Sequence, residues 1–396
     1  MVISTVPSRT ADDPGPPPVT KSRNLWAACL AHALHDGYTD GLYAFLPVWQ
    51  AQFSLSYAAL AALRALYYAT MGGLQMPTAR LLRGASARTA LILSIVIAAA
   101  GLLIMALPTG LAGLCIGLAV AGIGSSIQHP RASKLVIDSY GAAARGPLGI
   151  YNFSGDLGKA VLPACVAVLL PVLAWQPVLG LMAGLGVALT LALLWLMPRP
   201  VPSWQAPEKA ASVAGRAGFA LLTAIGALDT ATRMGYLLFL PFLIHARGGQ
   251  SPEVGLGLAL LFIGGAFGKA TCGWLGERLG VVGAVVATES VTALLIVATL
   301  FTPLLAMLLL LPVLGIVLNG TSSVLYGTVP ELALNGDPGR AFAVFYTFVI
   351  GSGGLAPIAY GAIADLGGQT TGLLAAAATA AVIVPLALFL RPSLAS

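Results

Sequence analysis

Twelve predominantly apolar stretches, separated by short polar loops, run through this chain at 25–53, 56–79, 89–107, 111–137, 146–173, 176–197, 217–245, 252–274, 281–301, 304–329, 341–365 and 371–390. A helix rises about 1.5 Å per residue, so roughly 20 apolar residues cross a hydrocarbon layer of about 30 Å. Inside a bilayer the backbone must satisfy its own hydrogen bonds, which makes segments of this length helices. Composition points the same way. The chain is 58% hydrophobic and only 9% charged, against roughly 25% charged in a soluble domain. So few charges could not cover 396 residues in water. A cytosolic enzyme, a nucleic-acid binder and a disordered protein are thereby excluded. The expected fold class is an all-α membrane protein of twelve transmembrane helices.

The net charge of +6 reflects where the bases fall. Of the 20 Lys and Arg, 15 lie on the side of the N-terminus, and the opposite loops hold only Arg247. Positively charged loops stay in the cytoplasm. The bias therefore predicts an inner-membrane, multi-pass protein with both termini cytoplasmic. Residues 1–24 are polar and Pro-rich, with no apolar run before Leu25. They read as a disordered cytoplasmic tail rather than a signal peptide. The longest loop, 198–216, is also polar and Pro-rich and divides the chain into bundles of six helices at 25–197 and 217–391. The four cysteines lie inside apolar runs without CxxC spacing and read as small core residues.

The two halves repeat each other. Asp36, Tyr43 and Pro47 in the first run correspond to Asp229, Tyr236 and Pro241 in the seventh. Gly124-Ser-Ser126 matches Gly320-Thr-Ser-Ser323, and Arg145 with Tyr151 matches Arg340 with Tyr346. All offsets fall between 193 and 197 residues and keep the same order. Two six-helix units related by an internal repeat are the pattern of many transporters.

Ionisable groups at membrane depth are costly and mark cavities or proton paths. His32, Asp36 and Asp40 recur every four residues, so they share one face of the first helix, which Tyr43 extends. Two acids one turn apart repel, and one of them is expected to hold a proton. Asp36 and Asp40 are therefore the leading proton carriers, with structural pairing to Arg64 or a histidine as the other reading. Asp229, Arg233 and Tyr236 form the matching stripe on the seventh helix. There, Asp229 either carries a proton or merely neutralises Arg233. His129 is either a proton relay or a cap for backbone carbonyls. Asn152, Asp156 and Lys159 make a polar face on the fifth helix, where Lys159 pairs with Asp156 or meets an anionic substrate. Arg64 has no acid three or four residues away, so its partner lies on another helix or is the substrate. Its planar guanidinium suits carboxylate or phosphonate. Lys269 lies near a helix end and either contacts substrate or snorkels to the interface. Glu289 is expected to serve a helix–helix hydrogen bond. His32, Asp36 and Asp40 offer ligands on one face but no second cluster, so no metal is expected, and no cofactor either. No ATP-binding loop, HExxH or GxSxG occurs, so an enzyme is not expected.

Gly273-Trp-Leu-Gly-Glu277-Arg278-Leu-Gly280 resembles the signature loop of major facilitator superfamily transporters, G-x-L-x-D-R-x-G. The first-half equivalent, from Ala79 to Gly84, keeps the bases but lacks the acid. The resemblance implies a gating loop at Gly273, Glu277, Arg278 and Gly280, and a site at the membrane midplane lined by Tyr43, Arg64, Asn152, Asp156, Lys159, Arg233, Tyr236 and Lys269. Two stretches, from Pro47 to Ser56 and from Gly122 to Pro130, are similar to the fosmidomycin-resistance group of exporters. The second adds Gln128 to the expected substrate contacts. This likeness implies a proton-driven exporter of a small organic anion or zwitterion, of drug/proton antiporter type. Uptake of a carboxylate is the alternative. A receptor on the same scaffold is disfavoured by the short loops. The expected partners are substrate, protons and lipid, with no nucleic acid, and the expected state is a monomer.

Overall fold

The structure is a computed structural model that describes residues 8–9, 18–197, 203–204, 216–332 and 338–394. The helices are α1 Pro18–Phe53, α2 Tyr57–Gly73, α3 Gln75–Leu81, α4 Ala87–Ala106, α5 Gly110–Tyr140, α6 Arg145–Leu169 and α7 Trp175–Leu196. After them come α8 Arg216–Ala246, α9 Ser251–Thr299, α10 Leu304–Thr328, α11 Pro338–Gly367 and α12 Gln369–Leu394. Two dipeptides, β1 Ser8–Arg9 and β2 Ser203–Trp204, pair in parallel. Most of the expected tail before residue 18 and of the expected linker at 198–216 lies outside the described residues. Helix α1 starts at Pro18, seven residues before the apolar run.

The twelve apolar runs map onto these helices with one difference: the second run breaks at Leu74 into α2 and α3. The eighth and ninth runs both lie in α9, where Gly280, at φ 70° and ψ 169°, is non-helical and divides two helices at a kink. A positive φ strains any residue with a Cβ, so glycine is the residue suited to this kink. The expected gating loop is therefore the end of a helix, with Gly280 as its break. Local signals fix the other ends. Ser86 accepts a hydrogen bond from the Thr89 amide to cap α4. Gln250 and Glu253 form a reciprocal capping box at the start of α9, followed by Pro252 in the first turn.

Among the described residues eight helices are long and apolar enough to cross a membrane by length and composition alone. The long helices α1 and α6 fall outside that set, and they carry His32, Asp36, Asp40, Asn152, Asp156 and Lys159. Large apolar side chains remain on outer faces, among them Trp195 at 76% and Phe389 at 72% exposure. In water such faces would aggregate, whereas in a bilayer they meet acyl chains.

The chain divides into two compact units. The first comprises Met1–Gly41, Leu66–Leu162 and Leu169–Glu208; the second comprises Leu42–Ala65, Pro163–Val168 and Lys209–Ser396. The second unit thus takes in the end of α1, the start of α2 and a short piece of α6, which a division at 198–216 would leave with the N-terminal half.

In the first unit α4 packs against α5 and α7, and Leu91, Ile95, Leu114, Leu118, Val178 and Leu179 are buried on these helices. In the second, α9 and α10 approach so closely that a Cβ on Gly315 would lie 2.0 Å from the Leu261 carbonyl oxygen. Apolar burial gives little driving force in lipid, and small residues allow this close backbone packing. The second unit also contains a cap supplied from far along the chain. Asp365 of α11 accepts hydrogen bonds from the Tyr57 amide (2.7 Å) and the Ala58 amide (3.0 Å), the first free donors of α2. The Tyr57 ring packs against Phe239 and Phe242 of α8, with centroids 5.5 and 5.1 Å apart. A carboxylate at a helix N-terminus satisfies orphan amides and complements the helix dipole.

Candidate functional site

The polar centre of the first unit is built on Asp36. The four-residue spacing on α1 stacks His32 over Asp36, with His32 Nε2 3.3 Å from Asp36 Oδ2. Helix α5 brings His129, whose Nε2 is 3.8 Å from Asp36 Oδ1. Helix α6 brings Lys159, whose Nζ is 3.3 Å from Asp36 Oδ2 and 3.8 Å from Asp156 Oδ1. Three helices thus place three nitrogen groups around one buried carboxylate. Gly155 makes room for it, since a Cβ there would sit 2.6 Å from both Asp36 Oδ2 and His32 Cε1.

The hydrogen bonding of His32 locates a proton. Its Nδ1 is 2.9 Å from the Tyr151 carbonyl oxygen. A carbonyl only accepts, so Nδ1 carries hydrogen and donates. In a neutral imidazole Nε2 then bears a lone pair, and that lone pair would face the Asp36 carboxylate. The contact is favourable only with a further proton, held on Nε2 or on the carboxyl. The ring is fixed by stacking on Tyr151 at 4.1 Å and by an edge contact with His129 at 5.5 Å.

The ligand atoms of His32, Asp36 and His129 lie within 4.8 Å of one another, a spacing that would suit a metal ion. The Lys159 ammonium occupies the same face of Asp36 and opposes a further cation. The site suits a proton better.

His35 points to another side of α1, as its angular offset predicts. Its Nδ1 is 3.1 Å from Ser125 Oγ and its Nε2 is 3.3 Å from Ser94 Oγ.

Several expectations change in detail. Asp36 pairs with His32 one turn away on α1, and helix packing adds His129 of α5 and Lys159 of α6. Asp40 itself is buried. Asp156 joins Lys159 as expected, but Asn152, one turn away, is exposed. Gln128 is fully enclosed, and neither end of its amide has a hydrogen-bond partner among the described residues. Of the cysteines, Cys165 is exposed on α6 rather than buried.

In the second unit Arg64 is buried, and its guanidinium lies 4.2 Å from the centre of the Tyr43 ring. The Tyr43 hydroxyl donates to Met234 Sδ at 3.4 Å. Such a cation–π contact orients the guanidinium plane. Asp229 and Tyr236 are buried on α8, with Arg233 partly buried between them. Lys269 is partly buried on α9. Gly273, Glu277, Arg278 and Gly280 are exposed near the kink, where Arg278 lies 4.7 Å over the Trp274 ring.

A sequence profile of the Major Facilitator Superfamily matches residues 28–226, half of the chain. The chain belongs to the major facilitator superfamily. Solved structures of transporters share its fold. A bacterial homologue of the human lysosomal transporter Spinster, described as inward-facing and unoccupied, superposes with a TM-score of 0.77 at 16% identity, covering 96% of this chain and 98% of that one. A POT family transporter in complex with 5-aminolevulinic acid gives 0.76 at 13% identity, covering 100% of both. A peptide transporter POT in complex with sulfate gives 0.75 at 15%, covering 99% and 97%. A search of curated proteins returns no match. As a major facilitator protein the chain is a multi-pass membrane secondary transporter and not an enzyme.

Proposed function

We propose that this major facilitator protein couples protons to the movement of a small organic anion or zwitterion across the inner membrane. The observation that carries the reading is the His32–Asp36 contact, which requires a proton because His32 Nδ1 already donates to Tyr151. Lys159 shares the same carboxylate. An anion that draws Lys159 away would leave Asp36 with less positive charge around it and favour protonation there; a proton leaving Asp36 would draw Lys159 back. Proton and anion thereby become linked through a single ion pair. Arg64, held on Tyr43, supplies a second anion contact.

Export is the direction favoured by the stretches similar to fosmidomycin-resistance exporters. Uptake of a carboxylate would use the same groups, and it is the direction in which this positive proton–anion linkage acts under an inward proton gradient. The test is flux in proteoliposomes with an imposed pH gradient, against a panel of carboxylates, phosphonates and lipophilic cations. An anion should accumulate only while the gradient stands, and the sign of the driving gradient reports exchange or co-transport. Accumulation that survives a proton ionophore, or of lipophilic cations alone, would overturn the reading.

The charge bias of the loops supports an orientation with both termini in the cytoplasm. A reporter fused after Arg199 should be cytoplasmic and one inserted near Gly249 periplasmic. Reporters on one side only would remove this orientation.

A further inference from the structure

The site around Asp36 does not use the second buried histidine of α1. His35 is fully enclosed and makes no ion pair among the described residues. Side chains from four helices of the first unit meet at its ring. Ser94 of α4 and Ser125 of α5 flank it, and Tyr67 of α2 and Thr39 of α1 continue the chain of contacts from Ser125. All four hydroxyl residues are buried. The backbones run close together here. A Cβ on Gly124 of α5 would lie 2.5 Å from the Ser94 carbonyl oxygen, and one on Gly122 would lie 2.7 Å from the Tyr67 carbonyl oxygen.

The distances place the hydrogens. The Ser94 hydroxyl donates to the Leu91 carbonyl at 2.7 Å, so its 3.3 Å contact with His35 Nε2 needs a hydrogen on the ring nitrogen. With Nε2–H as donor, the Nδ1 of a neutral imidazole accepts, here from Ser125 Oγ at 3.1 Å. Ser125 has then spent its one hydrogen, and the Tyr67 hydroxyl donates to it at 2.6 Å. Thr39 Oγ1 in turn donates to Tyr67 at 2.8 Å. The same chain also works in reverse. Thr39 Oγ1 lies 2.9 Å from the His35 carbonyl oxygen, so a chain running from Nδ1–H through Ser125 and Tyr67 to Thr39 ends on an acceptor. The hydroxyls on the Nδ1 side therefore accommodate either tautomer, and Ser94 decides between them.

The contacts of the ring are those of an uncharged group. From α4 and α5 they are serine hydroxyls, and Tyr38, with ring centroids 6.3 Å apart, donates its own hydrogen to the Met182 carbonyl of α7 at 2.6 Å. An uncompensated charge at this depth is strongly disfavoured. The ring is a neutral link between helices, and this link bears on Asp36. His35 and Asp36 are consecutive on α1, while Ser125 and His129 lie one turn apart on α5. The same two helices thus make two rungs, His35–Ser125 at 3.1 Å and Asp36–His129 at 3.8 Å. A rotation of α1 that breaks the first also moves the second.

We propose that His35 is a positioning residue for the proton site: a neutral imidazole with its hydrogen on Nε2, which fixes the rotation of α1 against α4 and α5 and so aims Asp36 at His129. Its consequence for coupling rests on the proton-coupled reading. The tautomer and the helix placement do not, since both exist whether or not a proton is carried.

Nitrogen NMR of the full-length protein in lipid, with isotope-labelled histidine, tests this and requires neither transport nor a gradient. Its failure is therefore distinct from failure of the transport reading. At neutral pH the His35 ring should be uncharged with its hydrogen on Nε2. Ser94→Ala should convert it to the Nδ1–H form, because the chain through Ser125, Tyr67 and Thr39 accepts that direction. Two replacements of the ring then separate positioning from packing. An Asn amide reaches the place of Nδ1 and can keep the Ser125 rung, whereas a Gln amide reaches that of Nε2 and can keep only the Ser94 link. His35→Gln should move the His129 ring signals and shift the midpoint of the pH profile of flux; His35→Asn should leave both near wild type. Should these variants fail to fold, Ser125→Ala removes the same rung with the ring intact and should move the His129 signals as His35→Gln does. A charged ring or an Nδ1–H ring in wild-type protein, or His129 signals unmoved in both His35→Gln and Ser125→Ala, would overturn the proposal. So would equal displacement in His35→Gln and His35→Asn, which would reduce the ring to packing.

Discussion

Proteoliposomes carrying Asp36→Asn are expected to exchange substrate in counterflow yet to show complete loss of uphill accumulation. An amide keeps the shape of the protonated carboxyl but cannot gain or lose the proton that the His32 contact requires. The protein should still fold, because Lys159 retains Asp156 at 3.8 Å as a counter-charge. Asp40→Asn should have the smaller effect, since Asp36 is the acid ringed by His32, His129 and Lys159. Accumulation by Asp36→Asn equal to wild type would move the coupling proton elsewhere, with Asp156 or Asp229 next in line. Loss of binding as well as accumulation would make Asp36 a substrate ligand.

The second large effect is expected at Lys159. Removing one partner of a buried, hydrogen-bonded charge pair costs about 2–5 kcal/mol in recognition. Lys159→Gln should therefore weaken binding of an anionic substrate by roughly 30-fold or more. It also leaves Asp36 and Asp156 without their shared cation, so the pH dependence of flux should flatten. Binding is read by calorimetry or by substrate quenching of intrinsic fluorescence. Unchanged affinity together with lost coupling would confine Lys159 to proton handling and leave Arg64 as the anion contact.

Much of this architecture is legible in the chain because a bilayer imposes a length and an apolarity on every crossing. The eighth and ninth runs are separable by that criterion, and the kink at Gly280 divides α9 between them. The break at Leu74 follows the breaker pair Gly72-Gly73, where α2 ends. The stripe of His32 and Asp36 follows from helical periodicity alone. The arrival of His129 and Lys159 does not, because it depends on how α5 and α6 pack against α1. The Tyr151 carbonyl that sets the His32 tautomer is a backbone group and leaves no mark in the residue types. Glu289 reads as a support contact because it lies in the ninth run, an outer support in the fold that the resemblance implies, and it is buried.

The cap that Asp365 places on α2 has a consequence for mutational tolerance. Both donors are main-chain amides, so the identity of the residues at 57 and 58 is irrelevant to the bonds themselves. Any residue but proline supplies the N–H. The ring of Tyr57 and the methyl of Ala58 are free to drift in sequence as far as this joint is concerned. Most of its genetic fragility falls on α11, more than 300 residues downstream, at Asp365 and at Gly361, where a Cβ would lie 2.6 Å from the Ala58 amide nitrogen.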